Sequence, residues 1–154
     1  MGLGERIEFY KQIEGLRKRP LIVYVTSQRP NATGLMAGDV IPEFIDQLQN
    51  LPENTNAVDL LIESMGGDPL VAWRVMSLFR ERVKEISVLI PSSAFSAATL
   101  MALGGNEIIM GRYGCLGPID PQTRVKRKDG TEALVSYRDC LLYTSDAADE
   151  EDSV

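Results

Sequence analysis

Glu63-Ser64-Met65-Gly66-Gly67-Asp68-Pro69 follows an apolar run, Ala57 to Ile62, and precedes a helical pattern, Leu70 to Val83. A buried strand, a Gly-Gly turn and a helix in that order form the repeating unit of an α/β fold. Val71, Val75, Leu78 and Phe79 are expected in the core, with Arg74, Arg80, Glu81 and Arg82 outside. Thirty residues on, Ser93-Ala94-Phe95-Ser96-Ala97-Ala98-Thr99 repeats the arrangement. It follows a strand, Ile86 to Ile90, and opens a short helix of small and apolar residues, Ala94 to Leu103, ended by Gly104-Gly105.

The flanks extend the pattern. Leu21 to Thr26 is a β-branched run, expected as a strand buried on both faces. Ser27 to Gly38 reads as a polar loop. Asp39 to Leu48 reads as a helix with Asp39 as N-cap, burying Ile41, Phe44, Ile45 and Leu48. Glu107 to Met110 is a fourth strand. Residues 4 to 18 place Ile7, Tyr10, Ile13 and Leu16 on one face of an amphipathic helix that Pro20 stops. Residues 123 to 127 and 132 to 137 pair as a hairpin around Lys128-Asp129-Gly130-Thr131. Alternating strands and helices imply a mainly parallel sheet with flanking helices.

The length suits one domain. The two cysteines, Cys115 and Cys140, make no disulfide framework, and the first residues hold no apolar h-region; both favour a cytoplasmic setting. No apolar run reaches the roughly 18 residues of a membrane helix. The formal net charge is −6, but Cys140 to Val154 contributes five carboxylates and no Lys or Arg. Without them 16 basic residues face 17 acidic ones, so no basic surface for nucleic acid is expected. That tail carries neither periodicity and resembles the read-through translation of a sequencing adaptor. The domain is therefore expected to span 1–139, with 140–154 a foreign or disordered tail and the natural protein longer, truncated here at its C-terminus.

Amide hydrolysis needs a nucleophile, a proton acceptor and donors for the oxyanion. Gly66 and Gly67 leave backbone N–H groups open to a substrate carbonyl. Ser93 or Ser92 is expected to cap the next helix, which puts Ser96 in its first turn among Ala94, Ala97 and Ala98. Small neighbours leave room for a substrate chain. In open α/β sheets ligands bind at such strand ends. The same residues also fit a plain βα turn and a tightly packed helix. Met65 stands where it would line a pocket or pack. Trp73 is expected in the core, and Cys115 as a small buried apolar residue. No spacing of Cys or His suggests a metal, and no cofactor is expected.

Leu21 to Gln122 resembles the Clp-protease/crotonase superfamily, and within it the serine dehydrogenase proteinase family, relatives of signal peptide peptidase A. The segments ESMGGDP, SAFSAATLMALGGNEIIMG and GCLGPIDPQ carry the likeness, in that order. The resemblance implies Ser96 as nucleophile, an oxyanion hole from the amides of Gly66, Gly67 and Ala97, a peptide or protein substrate and a homo-oligomer. One departure matters: the chain has no histidine, so a Ser-His-Asp triad cannot form from these residues. Pro118, Ile119 and Asp120 stand at the corresponding place. Signal-peptide-peptidase relatives use a lysine as base, and Lys126 and Lys128 are the only lysines after Ser96. Each also reads as part of a solvated hairpin tip. Asp120 is placed to orient a base or to serve as a turn residue, and the base is otherwise expected beyond Asp139. Two other readings share the fold: a crotonase-type site holding a thioester enolate, and a peptide-binding scaffold without a base.

Overall fold

The computed structural model describes residues 2–120, 122–126 and 131–136. The chain forms two compact units, Met1–Pro118 and Ile119–Val154. The first contains helix α1 (Leu3–Arg17), strand β1 (Leu21–Val25) and a small hairpin, β2 (Gln28–Arg29) with β3 (Ala32–Thr33). Next come α2 (Val40–Gln49), β4 (Ala57–Glu63), α3 (Pro69–Arg82), β5 (Glu85–Ile90), β6 (Ser93–Ala94), α4 (Ala97–Leu103), β7 (Glu107–Met110) and β8 (Cys115–Leu116). In the second unit β9 (Gln122–Lys126) pairs antiparallel with β10 (Glu132–Ser136), the expected hairpin. The boundary expected at Asp139 and Cys140 lies outside the described residues.

Four strands make the parallel sheet expected from sequence, in the order β1-β4-β5-β7. Each step along it is one crossover through α2, α3 or α4. Crossovers of one hand that advance in one direction bring those helices to one face. That face carries Ile22, Val58, Leu60, Ile62, Ile86, Val88 and Ile90, clustered with Phe44, Val75, Phe79 and Met101. Tyr24, Phe44 and Phe79 pack tilted and edge-on through it, with ring centroids 5.5 and 5.8 Å apart.

The opposite face is different in kind. Asp59, Ser87 and Glu107 stand in register across β4, β5 and β7. Arg17, at the end of α1, grips the fully buried Asp59 through two bonds, Nε to Oδ2 at 2.7 Å and Nη2 to Oδ1 at 3.1 Å. Arg19 donates to the Ser87 hydroxyl at 2.9 Å, and Ser87 donates to Glu107 at 2.8 Å. The bond to Asp59 is the main cause that holds the Arg17 guanidinium above its ordinary pKa.

This row explains where the sequence reading of α1 fails. No residue of α1 is buried; Ile7 is exposed and Leu16 is 84% exposed. The helix is fixed by charge at its C-terminal end, and of its apolar row Tyr10 and Ile13 are only partly covered. The strand β1 is likewise not buried on both faces: as the sheet's outer strand it buries only Ile22 and Tyr24. In α2, Asp39 precedes the helix without a side-chain capping bond, and Ile45 is only partly buried. In α3, Ala72 and Met76 are buried and Leu78 only in part.

The Tyr24 hydroxyl is buried without a hydrogen-bond partner. Burial raises the phenol above its ordinary pKa and the Asp39 charge adds to this; the nearby Ser64 hydroxyl opposes it, though its geometry falls short of a hydrogen bond. An orphaned buried hydroxyl costs about 1–3 kcal/mol. Tyr24→Phe is therefore expected to raise urea stability by about 1 kcal/mol. A phenol with a raised folded-state pKa contributes stability that is intact below about pH 10 and is lost as pH climbs toward the folded value. Alkaline denaturation should lose that component in the variant; an unchanged alkaline limb would contradict the assignment.

Candidate functional site

The site lies at the C-terminal ends of β4 and β5. Beyond Glu63, Ser64 bridges to Ala94: the Ser64 N–H donates to Ser93 O and the Phe95 N–H to Ser64 O, both at 3.0 Å. This short ladder draws the two quoted segments together. β8 flanks it: the N–H groups of Cys115 and of Gly117, just past the strand, donate to Ser92 O and Ala94 O.

Gly66 and Gly67 both take positive φ, 96° and 149°. Their lack of side chains is required by contact as well as by conformation. A Cβ on Gly66 would stand 2.5 Å from Phe95 O and 2.8 Å from the Ser96 Cβ. A Cβ on Gly67 would collide with the Met36 backbone. Met36 staples the turn from the other side, its N–H donating to Gly66 O at 2.7 Å and its carbonyl accepting from Asp68 N–H at 2.8 Å. Asp68 then caps α3 by accepting from Leu70 N–H at 2.8 Å.

Ser96 does not sit in the first turn of a helix begun at Ala94, as the sequence suggests. Ser93-Ala94 is strand β6, α4 begins at Ala97, and Ser96 is its N-cap, with neither Ser92 nor Ser93 in that role. It adopts φ 51° and ψ −120°, a conformation that L side chains rarely take. A serine held on a strained strand-to-helix turn presents its hydroxyl outward, as a nucleophile must. The hydroxyl makes no capping bond, and no acid or base among the described residues of the first unit hydrogen-bonds to it. Thr99 fastens the loop from inside, with its hydroxyl 2.7 Å from Ala94 O and 3.1 Å from Gly117 O.

The three amides named from sequence separate here. The Gly66 N–H donates to the buried Ser64 hydroxyl at 3.1 Å. The N–H groups of Gly67 and Ala97 have no partner among the described residues. The structure thus brings together Ser96, Gly66, Gly67 and Ala97. Asp120 is exposed and Lys126 lies in β9 opposite Glu132; both belong to the second unit. Lys128 lies outside the described residues.

Other expectations change. Trp73 is 69% exposed on α3 rather than in the core, because it points away from the sheet one turn after the cap. Cys115 is exposed rather than buried, since β8 lies outside the main sheet. Met65 is exposed beside the glycine turn. Met36 and Thr26 were not singled out by sequence; nothing in the Ser27–Gly38 stretch marks Met36 as the turn's partner. A cleft of about 640 Å³ lined by Glu14, Lys18, Leu21, Gln47 and Asn50 lies at the opposite end of β1 and is not this site. No group of three His, Cys, Asp or Glu that could hold a metal occurs among the described residues, and no helix there is long and apolar enough to cross a membrane.

The profile of the ClpP-like, SDH-type serine proteinases matches residues 39–133. Two uncharacterized proteins of Methanocaldococcus jannaschii are 34% and 38% identical over 80 residues, 52% of this chain. The chain spans only 27% and 28% of their lengths. The crystal structure of the ClpP protease catalytic domain from Plasmodium falciparum superposes with a TM-score of 0.50 at 20% identity. That likeness covers 69% of this chain and 53% of the other, and concerns the fold alone.

Proposed function

This chain belongs to the ClpP-like, SDH-type serine proteinases, and we propose that it cleaves peptide bonds through Ser96. The observation that carries the reading is the strained Ser96 packed against Gly66, beside the partner-free amides of Gly67 and Ala97. The Ser96 Oγ attacks the scissile carbonyl carbon while a base takes its proton. The carbonyl oxygen becomes an oxyanion that the Gly67 and Ala97 N–H groups receive; Gly66 shapes the turn that aims them. The proton passes to the leaving amine, and water then releases the acyl group from Ser96. Serine acyl transfer of this kind uses no cofactor.

With no histidine in the chain, the base is a lysine, Lys126 or Lys128, or a residue beyond Asp139, with Asp120 as an orienting group. A lysine serves only when burial or a neighbouring cation lowers its pKa into the neutral range. A homo-oligomer with a cytoplasmic setting completes the proposal, one subunit being able to supply a base to the next.

The test is labelling of the full-length natural protein and its Ser96→Ala variant with a fluorophosphonate probe. Labelling lost in the variant supports the reading. A full-length protein that takes no label overturns it in favour of a thioester-binding or scaffold domain.

A further inference from the structure

Ser64 takes no part in the reaction as proposed, yet its hydroxyl lies at the centre of the glycine turn. The residue is completely buried. Its Oγ accepts two bonds, from the Gly66 N–H at 3.1 Å and from the Thr26 hydroxyl at 3.0 Å. Thr26 is itself tied to the end of β4, its N–H donating to Glu63 O at 2.9 Å. The acceptor that faces Gly66 is thus fixed from β1 and β4 together.

Two consecutive glycines have the widest choice of backbone conformation of any dipeptide. Either amide of such a pair can swing toward a substrate oxygen or away from it. Here one amide is taken inward and its successor has no partner among the described residues. We propose that Ser64 is a positioning residue: by holding the Gly66 N–H inside the turn, its hydroxyl aims the Gly67 N–H at the oxyanion. The Met36 staple holds the Gly66 carbonyl, which shares a planar peptide with the Gly67 N–H, and the amide of Asp68; Ser64 holds the preceding peptide, and the two bonds together fix the rotation at Gly66 that sets where the Gly67 N–H points. This inference rests on the peptidase reading for its catalytic consequence, and its local consequence can be measured without catalysis.

The experiment compares wild-type full-length protein with Ser64→Ala and Ser64→Cys. A thiol keeps the bulk and accepts an N–H more weakly, so it also serves should the alanine variant fail to fold. Amide hydrogen exchange at Gly66 is expected to be slow in wild type, faster in the cysteine variant and fastest in the alanine variant. The rate of fluorophosphonate labelling at Ser96 should fall in the same order, by about 10- to 100-fold for Ser64→Ala, the scale of a misaimed group near the reacting atoms. For a peptide substrate kcat should carry the loss while KM stays within about twofold, because the donor acts on the oxyanion and not on the ground-state chain. Unchanged Gly66 exchange, or unchanged labelling in variants with altered exchange, overturns the proposal. A wild-type protein that takes no label while Gly66 exchange still follows Ser64 supports control of the turn by Ser64 and overturns the peptidase reading instead.

Discussion

Replacing Ser96 by alanine is expected to lower peptide hydrolysis by a factor on the order of 10⁴–10⁶, with folding intact. The residual rate would come from the Gly67 and Ala97 amides and from substrate binding. Alanine keeps the backbone strain, since a methyl side chain dislikes φ 51° as much as a serine does. Glycine does not. Ser96→Gly should therefore be equally inactive yet more stable than wild type by roughly 1 kcal/mol, strain relief outweighing the added freedom of the unfolded chain. Steady-state assays and urea denaturation check the two halves. A Ser96→Gly variant less stable than Ser96→Ala would mean that the turn stores no strain, and the functional reason for its shape would fall.

The second large effect concerns stability alone. Arg17→Ala should cost about 3 kcal/mol, read as a lower urea midpoint at unchanged slope. Removing Arg17 strands the Asp59 carboxylate, which has essentially no solvent contact, inside the sheet face. The figure is at the low end for a broken buried pair because Arg17 itself is 31% exposed. Arg19→Ala should cost under about 1 kcal/mol, since its carboxylate partner Glu85 is mostly in water. Replacing both partners, Arg17→Met with Asp59→Leu, should recover most of the loss, because the buried charge is gone and the remaining Arg17 partner, Glu107, is mostly in water. Failure of the double variant to recover would assign the loss to α1 packing instead of the ion pair.

How far this could be read from sequence depends on what each signal measures. Ala57 to Ile62 and Ile86 to Ile90 identify their strands because a central parallel strand is apolar on nearly every residue. That Gly66-Gly67 and Ser96 come together was legible because a strand, a turn and a helix recur twice in order. The strand β6 was not, since two residues carry no period, and beginning the helix at Ala94 put Ser96 in its first turn and not at its N-cap. The apolar spacing of Ile7, Tyr10, Ile13 and Leu16 is real, but spacing does not say whether a partner exists. Arg17 and Asp59 lie 42 positions apart, and nothing local in either announces the other. The strained φ at Ser96 has no compositional mark, because the residue that favours such a backbone is glycine and the position holds serine.

The donors proposed here, the Gly67 and Ala97 N–H groups, are main-chain atoms, and this bears on how such a site would be inherited or lost. No codon change deletes a peptide N–H, short of one that encodes proline. A mutational scan would see the glycine positions as a demand for small size and would pass over Ala97 almost silently, because the working atoms are shared by nearly every amino acid. Chemical synthesis with an ester in place of the amide is the direct way to take one donor out. In a lineage that drifts, the serine and its base can disappear by single substitutions while the cradle for a carbonyl oxygen persists as long as the fold does. On the proposed peptidase reading, decayed copies of this domain would still grip chains that they could not cut.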